Sequence, residues 1–416
     1  MATGRISSQM NNTDTQYYLR KQEVKQNRLN NQVGSQTRIG SLRDDPIAVG
    51  HLVRYQSYLS RVNQFEKNAQ TLADNFKITE GYVNSNLQIM QRVRELAVNG
   101  ANGTNSKEDL KNMATEVNEL LKEMIQNANA VGPEGDSLFA GTRSKTQAFD
   151  VLLGNVPGAN EPLIKEVKYQ GNIALNSVEV DENQYMKVDN SGNRIFWAEP
   201  QRVMGRRDLT GWTSKADSVI NVDGVEIAIN RGDNIYSLAA KINDSGAAVK
   251  ARIDPISKGL DLETTDSHQL WLEDKNGTVL EDIGFIKDKS QLPPYNLATN
   301  VVSSGGSVFD TVIALRDAMY AADQESIGGR VLGSIDEGIS NMTTRLAKTG
   351  SDYERAENNI SRSQTNALNV TALVSREGDV DITRTITDMK MLELVNQATL
   401  SNAGKMYSTT LLDYIR

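Results

Sequence analysis

The stretch LVRYQSYLSRVNQFEKNAQTLADNFKITEGYVNSNLQIMQRVRELAVNGA, residues 52–101, decides the fold. Within it Tyr55, Val62, Ala69, Phe76, Val83, Met90 and Ala97 recur every seven residues, flanked by Leu59, Phe65, Leu72, Leu87 and Val93. No proline interrupts the run. A seven-residue apolar period held over 43 residues predicts one continuous helix roughly 65 Å long at 1.5 Å per residue. Such a stripe needs a continuous partner surface, and other helices supply that better than a globular core does.

The partner lies far along the chain. Leu332, Ile335, Ile339, Met342, Leu346, Thr349, Tyr353, Ala356, Ile360, Ser363, Ala367, Val370 and Val374 keep alternating steps of three and four over another 43 residues. A shorter helix comes between the two. Asn99–Ser106 reads as a turn, and Ser106 with Asp109 forms the pattern of a capping box. The stripe of this helix is Leu110, Met113, Val117, Leu120, Met124, Ala128 and Val131, and Gly132-Pro133 is expected to stop it. The first rod and this helix are therefore expected to form an antiparallel hairpin. Gly135–Thr142 (GDSLFAGT) reads as a short strand and turn.

The ends are sparser. Ile6, Met10, Tyr17 and Val24 share a helical stripe with Leu29 and Val33 near it, amid mostly polar residues. A face so thin cannot offset the entropy of ordering it, so residues 1–50 are expected to become helical only against a partner. Gly34 ends the pattern. Asp44-Asp45-Pro46 then reads as an N-cap with proline at the first helical position. At the other end Val308, Val312, Leu315 and Met319 begin a helix that Ile327-Gly328-Gly329 is expected to interrupt. Gly378 marks a further break, with Asp379 beginning a last helix along Ile382, Ile386, Met389, Leu392, Val395, Leu400, Ala403, Met406 and Leu411.

Between Val151 and Ser304 the helical period gives way to short alternating runs. Ile164–Tyr169, Ser177–Val180 and Lys187–Trp197, the last with Ser191-Gly192 at its turn, read as strands and hairpins. Val219–Ile229 is a hairpin around Asp223-Gly224, Asn234–Asp244 a short amphipathic helix, and Val249–Asp254 with Lys258–Thr265 two more strands. Pro293-Pro294 and Ser303–Gly306 read as the linker back to the helical part. The expected fold is mainly α with an inserted β-rich domain at 149–304. Residues 51–148 and 305–377 make an antiparallel helical rod, and 1–50 and 378–416 are terminal assembly helices.

Composition narrows the function. The chain has 416 residues and a net charge of −8, which argues against a basic nucleic-acid face. No apolar run reaches the ~20 residues of a membrane span, and the first residues lack the apolar core of a cleavable secretory signal. There are no cysteines, which removes disulfides and thiolate chemistry and is compatible with export. The two histidines, His51 and His268, have neither metal spacing nor a triad around them, and no glycine loop makes a phosphate cradle. No catalytic, cofactor-binding or metal residue is expected. Trp197, Trp212 and Trp271 all fall in the middle region, where packing is the first reading and Trp197 and Trp212 leave contact with a glycan open.

Arg5–Ser7 (RIS), Arg38–Ala48 (RIGSLRDDPIA), Gln91–Ser106 (QRVRELAVNGANGTNS) and Ser137–Phe149 (SLFAGTRSKTQAF) together resemble the flagellin-like axial proteins of bacterial flagella. In that family the filament members usually continue the aspartate pair with Ala and Gly and carry Gln-Ala-Asn-Gln near the end. The junction members between hook and filament have Asp-Asp-Pro-Ile-Ala and an ending similar to STTLLDYIR, both present here. The module around Ile242-Asn243 resembles an insert common in these proteins. The resemblance implies a structural protein without enzymatic activity, exported to the flagellum and polymerising with its own copies through its terminal helices. Its implied partners are a hook-side junction protein, flagellin and an export chaperone, with no nucleic acid and no membrane insertion. The implied subunit contacts are Arg5, Ile6, Met10, Tyr17, Val24, Arg38, Asp44, Asp45, Pro46, Gln91, Arg92, Arg94, Glu95, Met406, Leu411, Leu412, Tyr414 and Ile415. A filament flagellin and a coiled-coil scaffold outside the flagellum remain alternatives.

Overall fold

The computed structural model describes residues 8–159, 161–188, 191–287, 291 and 293–412. Two compact units emerge, Met1–Lys67 with Ile360–Arg416, and Asn68–Asn359. Both unit boundaries fall inside long helices.

In the first unit, α1 (Ser8–Ser35) precedes α2 (Pro46–Gly100), which continues into the second unit. Asp45 caps α2 as its sequence predicts: its Oδ1 accepts the Ala48 N–H at 3.0 Å, and its carbonyl the Val49 N–H. Pro46 takes the first helical position, where its missing N–H costs nothing. Further on, Val62, Ala69, Phe76, Val83, Met90 and Ala97 are all buried, and Tyr55 is half-buried.

The second unit opens with the rest of α2, then α3 (Lys107–Ala128). Ser106 and Asp109 close the expected capping box. The buried face of α3 is rotated from the predicted stripe: Ala114, Leu121 and Ile125 are inside with Leu110, Val117, Met124 and Ala128, while Met113 and Leu120 sit at its margin. The helix ends at Ala128, so Val131 and Gly132-Pro133 lie beyond it, Val131 exposed. Ser137 makes only an isolated bridge with Val131 where a strand was expected. In the FAGT sequence Gly141 has φ +66, and a Cβ there would lie 2.3 Å from the Asn172 carbonyl oxygen. A glycine is required by that close approach.

Strands β1 (Phe149–Gly154) and β2 (Leu163–Tyr169) pair antiparallel, as do β3 (Asn176–Asp181) and β4 (Gln184–Val188). Ser191-Gly192 opens a short helix, α4 (Gly192–Ile195), where a hairpin turn was expected, because burying Ile195 and Phe196 folds the backbone inward. Then come β5 (Arg202–Gly205), β6 (Ser218–Val222), β7 (Val225–Ile229), α5 (Ile235–Asp244), β8 (Val249–Ile253), β9 (Leu260–Thr264), β10 (Leu272–Asn276), α6 (Val279–Asp282) and β11 (Val301–Ser304). They form one sheet of order β10-β6-β7 and another of order β11-β5-β9-β8. Asp223 and Gly224 both have positive φ, +50 and +85, giving the turn that joins β6 to β7. Ser303 and Ser304 belong to β11, paired with β5, so the expected linker begins only at Gly305.

Two asparagines stitch strands to helices in the same way. Asn129, just past α3, donates its amide to the Phe149 carbonyl and accepts the Phe149 N–H, at 2.9 and 2.8 Å. Asn243 in α5 does the same for Ala251 of β8, at 2.9 and 2.8 Å. Each amide stands in for a neighbouring strand at one residue, pairing both the N–H and the carbonyl of Phe149 and of Ala251.

A second capping box, Ser307 with Asp310, starts α7 (Val308–Ala321). This helix stops at Ala322, left-handed at φ +55, earlier than the expected glycine pair. After α8 (Gln324–Ser326), residues Ile327–Val331 form a single π turn running directly into α9 (Leu332–Gly378). The glycines therefore widen a helix rather than break it. The last helix, α10 (Ile382–Leu412), starts after Asp381, whose carboxylate accepts the Arg384 N–H at 3.0 Å, three residues later than expected.

Helices α2 and α9 contact each other within each unit. In the second unit Arg94 meets Asp336 at 2.5 Å and the Lys77 ammonium lies 5.3 Å over the Tyr353 ring. In the first, Gln364 donates to Glu66 at 3.0 Å and Gly378 sits against Leu52. Between such contacts the two helices advance by equal steps in opposite directions, the antiparallel pairing that their matched periods predict. On α9 the buried residues include Ile335, Met342, Thr349, Ala356, Ile360, Ser363 and Val370, largely the predicted stripe.

Candidate subunit interface

In the first unit, α1 and α10 meet through a narrow seam. Among the described side chains the least exposed of α1 are Thr15, Leu19, Gln22, Gln26, Leu29, Gln32 and Val33, and those of α10 are Thr385, Met389, Leu392, Asn396, Thr399 and Ala403, mostly in steps of four and three. Gln22 donates to Thr399 across it at 3.4 Å. Half of the seam is polar, so it contributes little hydrophobic stabilisation at about 25 cal/mol per Å².

The predicted stripe residues Tyr17 and Val24 face away from this seam, 61% and 70% exposed. Tyr18 is exposed as well, and so are Ile382, Ile386, Met391, Leu394, Val395 and Leu400 on α10. Leu29 and Val33, which the sequence places near the stripe, belong to the inner seam. Met10, Met406, Leu411 and Leu412 lie within α1 and α10, while Arg5, Ile6, Tyr414 and Ile415 fall outside the described residues.

The connector between α1 and α2 is held within the chain. Arg38 donates from Nε and a terminal nitrogen to the Glu377 carbonyl at 3.1 and 2.8 Å, and its own N–H reaches the Gly378 carbonyl at 2.7 Å. It also meets Asp45 at 3.4 Å. Asp44 accepts the Gly40 and Ser41 N–H groups at 3.0 and 2.9 Å and pairs with Arg28 at 3.4 Å. The Ser41 and Gly40 amides hold Asp44 below the usual carboxylate range, and the Ala48 amide does the same for Asp45. Arg38, Asp44 and Asp45, expected at a subunit contact, thus have intrachain partners that tie the start of α2 to the end of α9, while Pro46 is exposed. Leu42 and Ile47 beside them are 72% and 75% exposed and were not singled out by periodicity, because they sit in and just after a loop.

In the second unit Gln91, Arg92, Arg94 and Glu95 share the exposed side of α2. Arg92 binds Glu116 of α3 at 2.8 Å and Glu95 at 3.0 Å, and Arg94 binds Asp336. The hydrogen bonds from Glu116 and from Asp336 raise the pKa of Arg92 and of Arg94 respectively. This face is a charged lattice locking three helices together, with Val98 exposed beside it.

Among the described residues no group of three or more His, Cys, Asp or Glu is placed to hold a metal ion, and no helix is long and apolar enough to cross a membrane. The middle region holds one buried ionic group that sequence spacing did not reveal. His268, 1% exposed at its side chain, meets Asp223 through Nε2 at 2.7 Å and Asp266 through Nδ1 at 2.9 Å. Arg345 of α9 pairs with Asp266 at 2.5 Å. Burial works against a charged imidazole, but the hydrogen bonds to Asp223 and Asp266 outweigh it and push the pKa up to about 9. Residue 223 is 45 positions from 268, and only the tertiary fold joins them.

Residues 6–144 match the family described as the bacterial flagellin N-terminal helical region. Flagellin A of Vibrio cholerae serotype O1 is 25% identical over 401 residues, covering 94% of each chain. The likeness is to flagellins. Flagellin FlaB1 of Treponema pallidum is 28% identical over 223 residues, 51% of this chain and 76% of that one. Among solved structures, a putative flagellar hook-associated protein from Vibrio parahaemolyticus is similar with TM-score 0.48 and 16% identity, covering 81% of this chain and 100% of that one. The flagellar junction protein FlgL from Legionella pneumophila is similar with TM-score 0.46 and 16% identity over 79% and 100%.

Proposed function

We propose that this chain is a flagellin-family protein and the adaptor between hook and filament, built into a ring of its own copies through the outward faces of α1 and α10. The observation that carries this reading is the mismatch between the two sides of those helices. Their shared seam is half polar, while Tyr17, Tyr18, Val24, Met391, Leu394 and Leu400 stay exposed. Large apolar residues left outside on long helices are what several neighbouring copies would cover, and a thin seam keeps single copies from condensing early. Export as an unfolded chain with a chaperone, contact with a hook-side junction protein on one side and flagellin on the other, and the absence of enzymatic activity belong to the same reading.

The junction is favoured over the filament by Asp44-Asp45-Pro46-Ile47-Ala48 and by the LLDYIR ending. A filament flagellin is the second reading, favoured by relatives such as flagellin A that align over 94% of their length. Immunogold labelling of purified flagella separates them. A single band at the hook end is the expected result; uniform decoration would make the protein a filament subunit, and unlabelled flagella would reject both.

A further inference from the structure

Three Asn-Gly pairs occur along the chain: Asn99-Gly100, Asn102-Gly103 and Asn276-Gly277. An asparagine loses its side-chain amide when the nitrogen of the next residue closes a ring on its side-chain carbon, and glycine, having no Cβ, hinders that closure least. All three asparagines are exposed, so access to water does not separate them. Their backbones do.

Asn99 lies in the last turn of α2, where the Gly100 N–H belongs to the helical ladder. A Cβ on Gly100 would come 2.8 Å from Met319 Cε, so this glycine is tightly packed. Asn276 ends β10 opposite Val219, and a Cβ on Gly277 would fall 2.3 Å from Ser218 Oγ. Neither peptide has room to turn.

Asn102 lies in the turn between α2 and α3, and Gly103 is exposed beside it. A Cβ on Gly103 would meet only Gln324 Oε1, at 4.0 Å, and among the described residues the Gly103 N–H has no acceptor. The Asn102 side-chain oxygen accepts the Thr104 N–H at 3.3 Å. Such a bond folds the asparagine side chain back over the peptide that follows it. The ring-forming nitrogen and carbon thus sit side by side, with open space around them.

We infer that Asn102 is a site of spontaneous modification, converted to aspartate and isoaspartate with water as the only co-reactant. The Gly103 nitrogen gives up its proton to hydroxide and bonds to Asn102 Cγ. The Cγ–Nδ2 bond breaks and Nδ2 leaves as ammonia, protonated by water, which leaves a succinimide ring. Water then adds to either ring carbonyl, the ring C–N bond breaks there, and one carboxylate results; nothing is oxidised or reduced. When the ring opens to isoaspartate, the former main-chain carbonyl of Asn102 becomes that carboxylate. Its oxygen already accepts the Asn105 N–H at 3.2 Å, Asn105 Nδ2 at 3.3 Å and Gln324 Nε2 at 3.4 Å. The new charge therefore meets donors already in place. Since the ammonia is lost to solvent, this turn gathers negative charge with the age of the molecule.

Full-length protein kept at mildly alkaline pH and sampled over days provides the test. Tandem mass spectrometry of tryptic peptides reads each conversion as a gain of roughly 1 Da, and methyl labelling by an isoaspartyl methyltransferase reads the isoaspartate. In the folded protein Asn102 should convert about tenfold faster, or more, than Asn99 and Asn276. In guanidinium chloride, where the fold no longer distinguishes the backbones, the rates should come within about threefold of one another. Gly103→Ala should slow conversion at Asn102 about tenfold. It should melt as the parent does, because the position is open and its φ lies outside the left-handed region. Asn102 left intact, converting no faster than the other two in the folded protein, keeping its lead in denaturant, or unchanged in rate by Gly103→Ala would each overturn the inference. None of these outcomes bears on the position of the protein in the flagellum.

Discussion

Single residues fix the ends of the elements, and their effects are separable. Asp45 caps α2 with one side-chain hydrogen bond, and Asp45→Ala should lower stability by about 1 kcal/mol in urea unfolding. His268 sets a pH limit. Its imidazolium is stabilised by Asp223 and Asp266, with Arg345 facing the latter carboxylate. A folded-state pKa raised to about 9 from 6.5 means a contribution fully present below pH ~6.5 and lost as pH rises through 9. Melting temperature should therefore fall between about pH 7 and 10, and Asp223→Asn should flatten that slope; a melting temperature constant across the range would show that the histidine does not titrate there. Of these residues Asp45 was legible, because capping is a local code of a few positions. The histidine was not, since Asp223, its partner through Nε2, lies 45 positions away.

The elements were legible wherever periodicity was long. Over 43 residues a seven-residue repeat averages out local exceptions, which is why α2 and α9 appear with their buried stripes as read. Short stripes fared worse. On α1 the apolar positions Tyr17 and Val24 turned out to mark the outer face, since the seam uses Thr15, Gln22 and Gln26 instead. Apolar periodicity identifies a face that wants covering without saying whether the cover lies in the same chain. The capping box of α7 carries the same Ser-x-x-Asp signal as that of α3 and could have been found by it. If α1 and α10 are stabilised chiefly by other copies, limited proteolysis of dilute protein should cut first before about residue 50 and after about 378, leaving a resistant core between. Resistance at both ends in the monomer would count against that. Conversely, Val24→Glu and Leu394→Glu change exposed positions and should leave the monomer's melting within about 0.5 kcal/mol of the parent. Sedimentation should show self-association much reduced in both.

At the level of the whole molecule the order of parts was readable: helices, then alternating strands, then helices again. The junctions between them were harder, since Ser303-Ser304 looks like linker by composition and is drawn into β11 by pairing with β5. Composition reports flexibility only where no edge strand waits for a partner. The charged lattice around Arg92 and Arg94 illustrates a second limit, because a solvated helix face and an interhelical clamp carry the same residues. Arg94→Ala removes one exposed pair and should cost no more than about 1 kcal/mol, whereas a larger loss in a melting curve would show that the lattice acts as one unit.

The π turn at Ile327–Val331 has a bearing on how this chain can change length. A helix keeps its stripe only while its residue count keeps phase, and removing one residue from an α-helix rotates everything beyond it by about 100°. A wide turn already contains one residue more than an α turn needs. Deleting Gly329 should let the turn relax to ordinary helix and leave Ile335 and Met342 pointing as before, while deleting Gly350, a glycine in equally open space, should swing Ala356, Ile360 and Val370 off their partner. The deletion at 329 should melt near the parent and the one at 350 should not. The widened turn is the position where this rod can lose a residue and remain aligned.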